Sequence, residues 1–153
     1  MTAIRLDDQL CFALHAASRT MTAAYREPLA RLGLTYPQYL VLMALWEDDG
    51  LTVSALGWRL KLDSGTLSPL VKRLEARGLV ERRASADDER RVHVHLTEAG
   101  HRLSDEAEDV ARCISEAIDI DGEEFLALRT LARRVASLDP GPTDAPTPDH
   151  QTA

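Results

Sequence analysis

The chain is poor in cysteine, with two in 153 residues, at positions 11 and 113. That separation is no zinc-ligand spacing, and a chain of this length buries a core without disulfide staples. No run of about 18 apolar residues exists, which excludes a membrane-spanning helix. The opening residues, MTAIRLDDQ, lack a basic region followed by an apolar signal core, so the protein is expected in the cytoplasm with both thiols reduced at rest. Positive charge is also in deficit, with 18 Lys and Arg against 25 Asp and Glu, a formal net charge of −7. There is no internal repeat. Proline is rare until the end, where DPGPTDAPTPDHQTA (139–153) holds four of the seven. That tail cannot bury apolar surface and is expected to be disordered, leaving one domain over 1–138.

What is present is mostly helical patterning. Residues 6–32 read as one long helix with Leu6, Leu10, Ala13, Leu14 and Ala17 on a face. Gly33-Leu34-Thr35 interrupts it, and Thr35 caps a second helix from Tyr36 to Glu47 with Pro37 in its first turn. Thr52 caps a third with Val53, Leu56 and Leu60 inward, and Leu62-Asp63 turns into a fourth. Asp63 or Ser64 starts that helix, Leu67, Leu70, Val71 and Leu74 form its apolar stripe, and Gly78 stands where a left-handed C-cap is wanted. Two strand-like runs follow, 79–83 and 91–96, the second alternating with period two around a charged turn. Thr97 caps a long helix to Ile118, and Asp121 or Gly122 starts a last one to Leu138. The expected fold is mainly α with a small β-hairpin wing. It is a winged helix-turn-helix over 52–97 with N- and C-terminal dimerisation helices over 6–32 and 98–138.

Charge distribution gives this unit a use. From Arg59 to Arg83 there are seven Lys and Arg against three Asp and Glu, an excess of four positive charges inside an acidic chain. Small hydroxyls (Ser64, Thr66, Ser68) lead the fourth helix and cations (Lys72, Arg73) follow, which suits entry into a major groove. The expected partner is double-stranded operator DNA, with weak non-specific affinity because the whole protein is acidic. The apolar stripes of the last two helices (Val110, Cys113, Ile114, Ala117; Phe125, Leu128, Leu131, Val135) need a partner surface. A homodimer supplies it and matches a palindromic operator; an intramolecular bundle is the alternative.

The layout and the wing turn Asp88-Glu89-Arg90 resemble the MarR family of winged-helix regulators. The similarity is closest to its organic-hydroperoxide-sensing branch, through LDDQLCFAL (6–14), LTYPQYLVLMALWEDDGLTV (34–53), LDSGTLSPLVKRLEARGLV (62–80) and DDERRVHVHLTEAG (87–100). The resemblance implies a repressor that leaves its operator when Cys11 is oxidised by organic hydroperoxides, with no cofactor and no metal. It assigns Tyr25 and Tyr36 as phenolic donors to the sulfur across the dimer interface, stabilising the thiolate that attacks the peroxide. Cys113 stands near the resolving thiol of two-cysteine members, so oxidation ends either in an intersubunit Cys11–Cys113 disulfide or in a mixed disulfide with a small thiol. The family has a tyrosine where this chain has His15, which lies one turn from Cys11 and on the same side. The resemblance points to Asp63, Ser64, Thr66, Ser68, Lys72 and Arg82 for DNA contact. Arg90 would enter the minor groove, with Asp88 supporting it through a salt bridge.

Without the resemblance, spacing alone favours reading Cys11 as a small buried hydrophobe. Two other functions fit parts of the chain: a thiol peroxidase using Cys11 and Cys113, and a regulator answering a small phenol or a metal held by His93, His95 and His101. The wing assignment is checked by Arg90→Ala, expected to weaken operator binding by about 1–3 kcal/mol in a gel-shift titration. Unchanged affinity would remove the wing from the mechanism.

Overall fold

The computed structural model describes residues 5–85, 91–118 and 120–138. A 3-10 turn (Leu6–Asp8) leads into α1 (Leu10–Ala24), α2 (Arg26–Arg31) and α3 (Tyr36–Glu47). The two-residue strand β1 (Leu51–Thr52) precedes α4 (Val53–Leu60) and α5 (Ser64–Ala76). Strands β2 (Val80–Ala84) and β3 (Val92–Leu96) follow, then α6 (Glu98–Ala117) and α7 (Gly122–Ala136). The residues at 86–90 and 139–153, which include the expected wing turn and the expected tail, lie outside the described residues.

Helix starts follow the caps read from the sequence. Thr52 Oγ1 accepts Ala55 N–H at 3.1 Å, Asp63 Oδ1 accepts Thr66 N–H at 2.9 Å, and Thr97 Oγ1 accepts Gly100 N–H at 3.1 Å. Asp121 Oδ1 takes the N–H groups of Glu123 and Glu124 at 2.8 and 2.9 Å. At α3 the buried Gln38 completes the cap, its Oε1 accepting both Thr35 N–H at 3.0 Å and Thr35 Oγ1–H at 3.2 Å. Helix α5 ends at Gly78, which has φ +68°.

The single helix expected over 6–32 is instead a 3-10 turn and two helices joined at Tyr25. Pro28 explains the break. It has no N–H to give the carbonyl of Ala24, and its ring crowds that carbonyl, so a continuous helix cannot pass. The hairpin is also one strand short of the observed sheet, whose order is β1-β3-β2, antiparallel throughout. Leu51 pairs with Val94 and Thr52 with His93, while Val80 faces Leu96 and Arg82 faces Val94.

The core gathers around α3, from which Tyr39, Val41, Leu42, Ala44 and Leu45 are buried. From α5 come Leu67, Val71 and Leu74, each worth about 1.5–3 kcal/mol on burial. Leu56, Val80, Val94 and Val110 belong to the same cluster, with Leu29, Leu34, Leu79 and Leu96. The expected stripe on α6 therefore divides. Val110 and Ile114 are buried within the chain, whereas Cys113 and Ala117 remain exposed. The stripe on α7 is uncovered: Phe125, Leu128, Leu131 and Val135 are all exposed, as are Leu10 and Phe12 on α1.

Helix α6 crosses the end of β2's approach at Gly100, where a Cβ would stand 2.1 Å from the Leu79 carbonyl oxygen and 3.1 Å from Leu96 Cδ2. Gly100→Ala is expected to destabilise the fold by about 2 kcal/mol or more, the scale of a forced core insertion. A lower urea midpoint with unchanged slope would show it; a wild-type midpoint would mean that the crossing is loose.

Candidate DNA interface and thiol site

Helix α5 is presented by its buried stripe, which fixes which residues face outward. Ser64, Thr66 and Lys72 are exposed, while Ser68 is half-buried. Asp63, also exposed, is the N-cap of α5. Its Oδ2 accepts the Thr66 hydroxyl at 2.9 Å, and this bond, with the Thr66 backbone N–H next, holds the carboxyl below its usual range. Pro69 sits inside the helix and has no N–H for the carbonyl of Gly65.

Arg82, at the base of the hairpin on β2, is paired with Glu75. Its Nε and Nη2 reach Glu75 Oε2 at 2.9 and 2.7 Å, and its backbone N–H meets Oε1 at 3.3 Å. The Arg82 guanidinium keeps the Glu75 carboxyl below its usual range. Arg82 thus ties β2 to the recognition helix, with its guanidinium already engaged. Arg83 is paired with Glu81 on its own strand. Asp88 and Arg90 lie outside the described residues.

The thiol side is assembled from distant segments. Cys11, in the first turn of α1, and Cys113, on α6, are both free and exposed. His15 is exposed one turn beyond Cys11. Tyr25, between α1 and α2, and Tyr36, the first residue of α3, meet with ring centroids 4.8 Å apart. They wall an open cleft of about 290 Å³ together with Thr22, Arg26, Leu34 and Thr35. Tyr25 also touches Tyr39 at 5.9 Å, and Tyr39 meets Trp46 edge-on at 5.9 Å. Trp46 Nε1 donates to the Gly100 carbonyl at 3.0 Å. Burial pushes the Tyr25 phenol above its ordinary value of 10.0, and Tyr36 and Tyr39 add to this. Burial likewise raises Tyr36 and Tyr39. All three keep their hydroxyl hydrogens at neutral pH and can donate them.

Cys11 and Tyr25 are separated by the length of α1, about 20 Å at 1.5 Å per residue. Among the described residues no hydrogen bond joins Cys11 to either tyrosine. Cys113 borders a second, smaller cleft of about 150 Å³ with Pro28, Arg31, Leu32 and Asp109. The histidines have structural work. His93 Nδ1 lies 2.8 Å from the Gly50 carbonyl, and His95 Nδ1 lies 3.5 Å from Asp49 Oδ2. No group of three metal-ligating side chains occurs among the described residues.

Sequence reasoning passed over Tyr39 and Trp46. The signal was there, since Tyr36 and Tyr39 stand at helical spacing on α3.

Comparisons with known proteins agree with the fold. The family profile "Transcriptional regulator SarA/Rot" matches residues 24–107. The chain is 46% identical over 127 residues to the organic hydroperoxide resistance transcriptional regulator of Bacillus subtilis, covering 83% of this chain and 86% of that one. Among solved structures it is similar to reduced AbfR of Staphylococcus epidermidis bound to DNA, at 36% identity and TM-score 0.71, over 88% of this chain and 94% of that one. It is also similar to disulfide-formed AbfR, at 35% identity and TM-score 0.61, over 88% and 89%. The chain belongs to the MarR/SarA-type winged-helix transcriptional regulators, in the branch of the organic hydroperoxide resistance regulators.

Proposed function

We propose that this DNA-binding regulator is a dimeric repressor that leaves a palindromic operator when Cys11 is oxidised by an organic hydroperoxide. One observation carries the reading. Two half-buried phenols that remain donors line an open cleft too far along α1 to serve the Cys11 of their own chain. The Cys11 that meets them in this reading is that of a second copy. The uncovered apolar residues of α1 and α7 supply the surface for that copy. Single-domain organisation over 1–138, with the terminal helices as dimer arms, belongs to the same reading.

The chemistry follows from the residue types. The Cys11 thiolate attacks the terminal oxygen of R–O–O–H. An S–O bond forms, the O–O bond breaks, and the alkoxide leaves as alcohol after taking a proton from water. Sulfur is oxidised to sulfenic acid while the peroxide is reduced. Phenolic donors from the partner subunit's Tyr25 and the partner subunit's Tyr36 hold the thiolate before attack. Exposed Leu10 and Phe12 beside the thiol favour an apolar peroxide over hydrogen peroxide. The partner subunit's Cys113 then attacks the sulfenic sulfur, an S–S bond forms, and water leaves. The disulfide-formed relative makes such an end state chemically reasonable in this fold. Ser64, Thr66, Ser68 and Lys72 of α5 are the proposed groove contacts, and Arg90 the wing contact.

Cumene hydroperoxide is expected to release wild type, but not Cys11→Ser, from operator DNA in a gel shift. A serine variant that dissociates as readily as wild type would place the sensor elsewhere. Non-reducing electrophoresis of the oxidised protein should show a crosslinked dimer that Cys113→Ser lacks. Tyr25→Phe and Tyr36→Phe each remove one charge-assisted donor, worth about 1.5–3 kcal/mol. Each should slow sulfenic acid formation about tenfold or more, followed by trapping with dimedone and mass measurement; wild-type rates in both would remove the tyrosines from the site.

A further inference from the structure

The tyrosine cleft and the recognition helix are joined by one side chain. Arg77 is the C-cap of α5, and its guanidinium reaches back 44 residues to the turn between α2 and α3. Nη1 donates to the Gly33 carbonyl at 2.5 Å and Nη2 to the Leu32 carbonyl at 3.0 Å. Both carbonyls belong to the end of α2. That end closes with Leu34 N–H on Leu29 O at 2.9 Å and Gly33 N–H on Ala30 O at 3.0 Å, which leaves the next carbonyls for an outside donor. A cation there also meets the negative end of the helix dipole.

The fit is close. Gly33 has φ +64°, and a Cβ on it would stand 3.1 Å from Arg77 Nη2. The guanidinium therefore lies against a backbone that only glycine leaves open. Beyond Gly33 the chain runs directly into Leu34, Thr35 and Tyr36, which wall the cleft.

On its other side Arg77 leads into Gly78 and Leu79, the joint between α5 and β2. That joint is held from behind by α6. Thr97 Oγ1 donates to the Gly78 carbonyl at 2.6 Å, and Thr97 N–H to the Leu79 carbonyl at 3.1 Å. Gly100 packs against the same Leu79 carbonyl, and its own carbonyl takes the Trp46 hydrogen bond that ends the Tyr25–Tyr39–Trp46 row. Two routes from the tyrosines thus converge on residues 77–79.

We propose that Arg77 is the positioning residue that transmits movement of the Tyr25–Tyr36 cleft to the recognition helix. It touches neither peroxide nor DNA in this role. A displacement of the 32–36 turn pulls the end of α5 through a two-pronged bond, while the α6 contacts at Gly78 and Leu79 act as the pivot. The fork matters, because two parallel N–H donors fix direction where a single ammonium would not. The inference rests on the reading of Cys11 as the trigger.

The test compares full-length wild type, Arg77→Lys and Arg77→Met in three readouts: operator Kd when reduced, operator Kd after cumene hydroperoxide, and the rate of Cys11 oxidation by mass. Arg77→Met is expected to bind reduced operator within about threefold of wild type and to oxidise at the wild-type rate, yet to lose about tenfold less affinity on oxidation, the scale of an allosteric coupling. Arg77→Lys should fall between. An Arg77→Met protein with the full wild-type loss on oxidation would overturn the proposal while leaving the Cys11 reading intact. A wild type that keeps its operator through complete Cys11 oxidation would overturn both. Amide hydrogen exchange on wild type gives a measure independent of any variant. Segments 32–36 and 77–80 should change protection together on oxidation, and a change in the first without the second would reject the clasp.

Discussion

Helix α3 is the constraint on which the rest of the structure depends. It is buried on most of its circumference, with Tyr39, Val41, Leu42, Ala44 and Leu45 inside and Gln38 spent on its own cap. A helix apolar on so many sides has to be wrapped, and here α2, α4, α5, α6 and β3 all pack on it. Its first residue is one of the cleft tyrosines, and its flank supports the recognition helix. A packed core moves as discrete arrangements and not as a continuous medium.

Electrostatics in this protein positions more than it stabilises. The pairs Arg82–Glu75, Arg59–Glu47 and Arg83–Glu81 lie near the surface, where an ion pair is worth little in free energy. What Arg82 and Glu75 provide is a fixed angle between β2 and α5. The same economy applies at α7, whose last carbonyl, on Ala136, accepts from Lys61 Nζ at 2.6 Å in the turn between α4 and α5. A terminal helix that otherwise shows its apolar face to solvent is thereby pinned beside the DNA-binding unit.

Much of the fold was legible in the chain because local chemistry decides it. Thr52, Asp63, Thr97 and Asp121 cap helices as their positions beside apolar runs imply, and Gly78 ends α5 in the left-handed region. The stripe Leu67, Val71 and Leu74 is buried as its spacing requires. Elements decided by tertiary contact were not legible. Strand β1 has two residues and exists only because β3 passes beside it. The break at Tyr25 was written in Pro28, but the apolar periodicity across it concealed the stop. Of the site, the hydroxyls and cations of α5 could be read, and Tyr25 and Tyr36 came through resemblance. The partners of Arg82 and Arg77 could not be, since they lie 7 and 44 or 45 residues away with no pattern linking them. Among the described residues the Cys11 sulfur has no bonded neighbour, so sequence likeness gave it meaning before geometry did.

The Asp63–Thr66 bond has an outcome for what the helix can read. The Thr66 hydroxyl hydrogen is already committed to a carboxylate whose pKa that bond holds below its usual range. Its oxygen retains only lone pairs for anything beyond the cap. In a major groove such an atom matches the amino hydrogens of adenine or cytosine and finds no match in the bare acceptors of guanine. A residue with two hydrogen-bonding faces is thus reduced to one, and under the proposed reading of Thr66 as a groove contact its choice of base is narrowed by a carboxylate that need not touch the duplex.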